Sequence, residues 1–170
     1  MSTFTLGLSE ILVGDVLETG LMPEISAMTK IGKVLENTAS VTQEEATFTD
    51  FKEQGSAAPA VRVKQDGAFS STFQIMDADP ELLAKYLGGS VVGKVWNYLG
   101  KSVNVEKALF IKPNQGLYFQ FPKASISATI AGELNNENLV TVTFNVTPLS
   151  PGEDKPSVLA GKITDLTPAG

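Results

Sequence analysis

Apolar and polar positions alternate with a period of two along much of this chain. Leu139 to Thr147 is the clearest case: Val140, Val142, Phe144 and Val146 alternate with Thr141, Thr143, Asn145 and Thr147, and Pro148 closes the run. Successive side chains of an extended backbone point to opposite faces, so this spacing predicts a strand with one buried face and one wet or interfacial face. Ala68 to Met76 repeats it, with Phe69, Ser71, Phe73 and Ile75 on one side. Asp66-Gly67 just ahead of that run is a hairpin-type dipeptide, which predicts that Ala60–Lys64 pairs with it. Val103–Ile111 reads as a further strand ended by the turn cluster Pro113-Asn114-Gln115-Gly116. Leu117–Phe121 follows; Pro122, which lacks a backbone donor, marks an edge position or a bulge, and alternation resumes over Ser125–Ile130. Weaker signals place strands near Ile11–Leu17, although Leu8–Leu17 also fits helical spacing, and near Val158–Ile163.

One segment has helical spacing with both ends specified. Asp79 is a suitable N-cap, Pro80 suits the first helical position, and Glu81 favours the positive end of the helix dipole. Leu82, Leu83, Tyr86 and Leu87 form one stripe, and Gly88-Gly89 can take a left-handed C-terminal geometry. Two segments are poor core material. Glu36–Pro59 is polar and acidic and ends in Gln54-Gly55-Ser56-Ala57-Ala58-Pro59, which reads as an extended arm; Pro148–Ser157 reads as a surface loop. The fold expected is mainly β, an antiparallel sandwich or barrel forming one domain over residues 1–170, with one short flanking helix and one long arm at residues 36–59.

Composition narrows the chemistry. The 170 residues include no Cys and no His, which removes disulfides, thiolate nucleophiles, zinc–thiolate sites and an imidazole base. Pairs of carboxylates remain, but Asp79 is accounted for as a cap, Asp77 has no companion role, and Glu44 and Glu45 are neighbours expected on opposite faces of a strand. Gly88-Gly89 with Gly93-Lys94 fails as a phosphate loop, because the glycines follow the helix and Val95 follows the lysine. No catalytic, metal or cofactor site is expected, and the chain is read as a non-enzyme. Net charge is −6, and its placement is uneven: residues 1–57 hold nine acids against Lys30, Lys33 and Lys52, whereas the rest holds ten of each sign. The distribution argues against a nucleic-acid patch in that first third, since phosphate neutralisation needs clustered Lys or Arg. No apolar run reaches the roughly 18–20 residues of a membrane span, and Met1-Ser2-Thr3-Phe4 shows no leader pattern; the expectation is a soluble protein made in the cytoplasm. The aromatic run Leu117-Tyr118-Phe119-Gln120-Phe121 is read as core packing, and Trp96 and Tyr98 share a face if Val92–Leu99 is extended.

The order of these features resembles the major tail tube proteins of long-tailed, siphovirus-like bacteriophages. The likeness is carried by Ile31-Gly32-Lys33-Val34, by an acidic arm ending in Thr49-Asp50-Phe51-Lys52-Glu53-Gln54-Gly55, and by Asp79-Pro80-Glu81-Leu82-Leu83-Ala84-Lys85-Tyr86-Leu87-Gly88-Gly89. Later come the break Phe121-Pro122-Lys123-Ala124, then Ala131-Gly132-Glu133-Leu134, then the run Val140 to Leu149. The resemblance spans most of residues 10–150. It implies a β-sandwich with a flanking helix, six copies closing a ring, and rings stacked head to tail in a virion tail. Double-stranded DNA passes through the lumen of such a tube without specific binding. Tape measure, tail tip and terminator proteins are the other partners it implies. The arm then becomes the inter-ring or inter-subunit contact, with Glu44, Glu45, Asp50, Lys52 and Glu53 as candidate contact residues that fix register. Two other readings stand beside it: the tube component of a contractile tail or related secretion apparatus, and a β-sandwich ligand-binding module using Trp96, Tyr98 and Tyr118.

Overall fold

The computed structural model describes residues 3–101 and 103–166; the leader reading at Met1-Ser2 lies outside them. Strands β1 (Glu10–Gly14), β2 (Thr29–Lys30), β3 (Ser40–Gln43), β4 (Thr47–Phe51), β5 (Val61–Gln65) and β6 (Phe69–Ile75) come first, then helix α1 (Pro80–Leu87). They are followed by β7 (Ser90–Val92), β8 (Val95–Asn97), β9 (Val105–Lys112), β10 (Leu117–Ala131), β11 (Thr141–Pro148) and β12 (Leu159–Lys162). Eight strands make one antiparallel sheet in the order β2-β1-β9-β10-β11-β6-β3, with β12 on the first part of β10. The hairpins β4–β5 and β7–β8 stand outside it.

The linker after β2 shows how the sheet curls. Val34 bridges to Ile75 on β6, where the Leu35 N–H donates to the Gln74 carbonyl at 2.9 Å. In a flat sheet that position would lie six strand spacings, about 29 Å, from β2. Val34 is only four positions on from Lys30, and four residues reach about 14 Å at most. The sheet therefore bends round on itself, and its two end strands are joined by the 31–39 linker without hydrogen bonds closing a barrel.

Alternating side chains fill the inside of the curl. Ile11, Phe73, Ile75, Leu109, Phe121 and Phe144 are all fully buried there. Phe73 and Phe144 stack at 5.2 Å between centroids, and Tyr86 of α1 meets Phe144 edge-on at 5.0 Å. A smaller cluster of Leu12, Met28, Ala108 and Phe110 lies on the other face of β1 and β9, packed against Met22, Ile25, Tyr118 and Leu166. That second cluster is why Ala108–Ile111 is buried at every residue instead of at every second one.

The helix follows its capping signals: the Asp79 carboxylate accepts the Leu82 N–H at 2.8 Å, and Pro80 opens the first turn. Its C-terminus differs from expectation. Gly88 sits at φ 92°, ψ 179°, a region essentially reserved for glycine and distinct from the left-handed helical one. An alanine there would also meet the Lys101 carbonyl at 2.8 Å. Pro122 occupies the bulge foreseen for it: one extra residue of β10 is accommodated between Phe121, opposite Leu109, and Ala124, opposite Lys107. The two flanking runs are consequently a single 15-residue strand.

Three pairing expectations fail. Asp66-Gly67 does not turn β5 into β6; β5 pairs with β4, and β6 lies between β11 and β3. The inward face of β6, with Phe73 and Ile75, has core partners to reach, whereas β5 has no buried residue. The arm at 36–59 is also not an unpaired excursion: it contains β3, which joins the main sheet, and β4, which pairs with β5 so that the arm runs on to Gln65. Val92–Leu99 is likewise a hairpin and not one extended run, because Gly93 (φ 57°) and Lys94 (φ 66°) take the two left-handed positions of a tight turn.

Candidate functional site

The feature least accounted for by packing within the chain is the β4–β5 hairpin. Its root is fastened: the Glu44 N–H donates to the Ala68 carbonyl at 3.0 Å, and the Gln43 side-chain amide donates to the Gly67 carbonyl at 3.4 Å. Gly67 packs directly on the Glu44 carbonyl, leaving no room for a Cβ. Beyond that root all ten strand residues are exposed.

Register separates the hairpin into two unlike faces. Phe48 lies opposite Lys64 and Asp50 opposite Arg62, so these four share one face. That face is satisfied internally. Arg62 makes a two-pronged contact with Asp50, Nε at 2.7 Å and Nη2 at 2.9 Å, and its guanidinium lies 5.0 Å over the Phe48 ring. The bound guanidinium holds the Asp50 carboxyl below its ordinary value of 3.8 and raises the arginine in turn. Thr47, Thr49, Phe51, Val61, Val63 and Gln65 make the opposite face. It bears no charge, and Phe51, Val61 and Val63 are 58%, 55% and 52% exposed.

The five residues singled out in the arm are thus not one cluster. Glu44 and Glu45 lie in the link between β3 and β4, not on a strand; Asp50 is engaged by Arg62; Lys52 and Glu53 sit in the loop beyond Phe51. Glu44, Glu45 and Glu53 make no ion pair among the described residues. Missed in the sequence was the uncharged face. Its signal was present as alternation in Thr47-Phe48-Thr49-Asp50-Phe51 and Val61-Arg62-Val63-Lys64, overshadowed by the acidic composition around it.

Part of the acidic excess of the first third is neutralised within the fold. Asp15 meets Lys107 at 2.6 Å and Glu10 meets Lys112 at 3.6 Å, both across the β1–β9 pair. Lys107 holds the Asp15 carboxyl below its usual range.

A second projecting element is the β7–β8 hairpin. Trp96 anchors it by donating from Nε1 to the Gly88 carbonyl at 2.8 Å and stacks on Tyr98 at 5.4 Å. Val92 and Val95 pair on the face away from Trp96 and are exposed, as are Tyr98 and Leu99. Tyr118 is placed differently: it packs beside Phe110 at 5.5 Å and under Gly161, so it does not join Trp96 and Tyr98 in a groove. An open cleft of about 840 Å³ separates the N-terminal segment and β1 from the 30–41 linker, with Leu8, Val34, Val41 and Phe119 among its walls. Among the described residues, no three His, Cys, Asp or Glu side chains are grouped to hold a metal ion, and no helix is long and apolar enough to cross a membrane. No family model matches the chain, and no curated protein matches it either.

Proposed function

We propose that this chain is a structural subunit that works by associating with copies of itself, as the tube protein of a long-tailed phage does. The observation that carries the reading is the free-standing β4–β5 hairpin. A two-stranded hairpin is at best marginally stable alone in water, and this one spends its charged residues on one face while leaving three large apolar side chains uncovered on the other. Uncharged contiguous apolar surface of this kind marks an interaction site. Sheet edges at β2 and β3 leave further backbone groups available for pairing. The sequence resemblance supplies the form of the assembly: rings of six stacked into a tube whose lumen passes double-stranded DNA. Acidic groups without intramolecular partners in the first third suit such a conduit, because like charge keeps phosphates from adhering.

The test is negative-stain electron microscopy with light scattering on the purified chain at rising concentration, with and without tail-tip complexes as initiators. Rings or hollow tubes are expected. A chain that stays monomeric under both conditions refutes the reading.

A further inference from the structure

The uncharged hairpin face needs a counterpart, and the same chain carries one with matching chemistry. Residues 82–105 contain Lys85, Lys94 and Lys101 and no acidic residue. Within that stretch the β7–β8 hairpin presents Val92 and Val95 to solvent on the face away from Trp96, 66% and 59% exposed. The β4–β5 arm is complementary in both respects: apolar Phe51, Val61 and Val63 on one face, and around it Glu44, Glu45 and Glu53, which make no ion pair among the described residues.

Topology adds direction. Through residues 66–68 the arm joins the start of β6 at Phe69, whereas α1 and the β7–β8 hairpin follow its end at Ile75. Seven residues of strand hold those two attachment points about 20 Å apart. Unlike surfaces at opposite ends of one strand favour contact with a second copy, and repeated head-to-tail contacts generate rings or filaments, not closed two-fold dimers.

We propose that the uncharged face of β4–β5 in one copy docks on the β7–β8 hairpin of the next, with the arm's glutamates set against Lys94 and Lys101. This rests on the self-association reading and names the surface that receives the arm. Apolar contact supplies the affinity, and the opposed charges fix which copy meets which end.

The experiment is complementation between two variants, each lacking one surface. F51D/V63D removes the arm face and V92D/V95D removes the receiving face. Each alone should lose self-association, by about thirtyfold or more in apparent affinity. Mixed, they should form a 1:1 heterodimer and nothing larger, since each retains the surface the other lacks. Sedimentation velocity reads both outcomes. If V92D/V95D still assembles like the unaltered chain, the receiving surface is wrong while self-association stands. If the unaltered chain assembles but the mixed variants stay monomeric, the pairing is equally overturned. If unaltered chain and mixture are both monomeric throughout, the assembly reading falls with it. Should an aspartate variant fail to fold, K94E/K101E replaces it: assembly should weaken and be restored by E44K/E45K/E53K in the same chain, and failure of that rescue overturns the proposal.

Discussion

Tyr86 offers the sharpest test of how the core is built. It is 4% exposed and meets Phe144 edge-on at 5.0 Å, yet its hydroxyl has no hydrogen-bond partner among the described residues. A buried, unpaired polar group costs about 1–3 kcal/mol. Tyr86→Phe removes that group and keeps the edge contact, so the variant should be more stable by about 1 kcal/mol, the low end of that range. For a chain of this size the melting temperature should rise by roughly 2–4 °C. A second consequence concerns pH. Burial pushes the Tyr86 hydroxyl up to about 12 from its ordinary 10.0. The unfolded chain releases this proton first, so the stability tied to the neutral phenol is complete below pH 10 and is lost as pH rises from there through 12. Denaturant titrations of the unaltered chain and Tyr86→Phe from pH 7 to pH 11.5 should therefore diverge, with the variant losing less on the alkaline side. A variant that is less stable at pH 7 and shows the same alkaline decline would refute the reasoning, because the hydroxyl would then have a partner that stabilises it.

Other consequences are quicker to state. Phe144→Ala removes a ring that both Phe73 and Tyr86 pack against and should cost about 3–5 kcal/mol, measured by denaturant unfolding. Asp79→Ala deletes the α1 cap and should cost about 1 kcal/mol by the same measurement, with Asp79→Asn nearly neutral. Arg62→Ala should leave global stability almost unchanged, since the Asp50 pair is exposed, but it should broaden or collapse the backbone resonances of residues 47–65; unchanged spectra would count against that pair ordering the hairpin. On acidification the depressed Asp50 carboxyl stays ionised past its ordinary 3.8, so the hairpin should keep its order as pH falls toward that value and lose it below.

The main sheet was largely legible because its strands are half-buried and alternate strictly. Phe73 and Ile75, or Val142, Phe144 and Val146, point inward at every second position. The helix was legible down to its cap for a similar reason: Asp79, Pro80 and Glu81 act locally, within a few residues of the backbone groups they serve. Partner choice was not legible. Asp66-Gly67 is a good local turn, yet β6 pairs with β11 because Phe73 can stack on Phe144, a contact between residues 71 positions apart. Exposed strands carry no burial pattern to specify their pairing, so β4 and β7 disappeared into a polar arm and a single extended run. The uncharged arm face was hidden by averaging. Composition counts Asp50, Lys52, Glu53, Arg62 and Lys64 together with Phe51, Val61 and Val63, and only the register assigns them to different sides.

Core and arm also differ in what holds them. No residue of β4 or β5 belongs to either buried cluster, so substitutions on the uncharged face should change association while leaving the unfolding transition of the sheet in place. The arrangement would suit the self-associating subunit proposed above, which has to fold before it assembles. The arm is held by its own ladder, the bidentate Arg62–Asp50 pair, the Lys64–Asp66 pair and one cation–π contact, which puts it near the low end of local stability; under the self-association proposed above it would gain order when a neighbour covers it. Its fixed root at Glu44 and Ala68 keeps that gain directional, because the chain beyond the root is presented from one end of β6 however much the tip moves. Fastening the root while leaving the face bare separates the stability of the subunit from the strength of its contacts, so each can be altered by substitutions that leave the other alone.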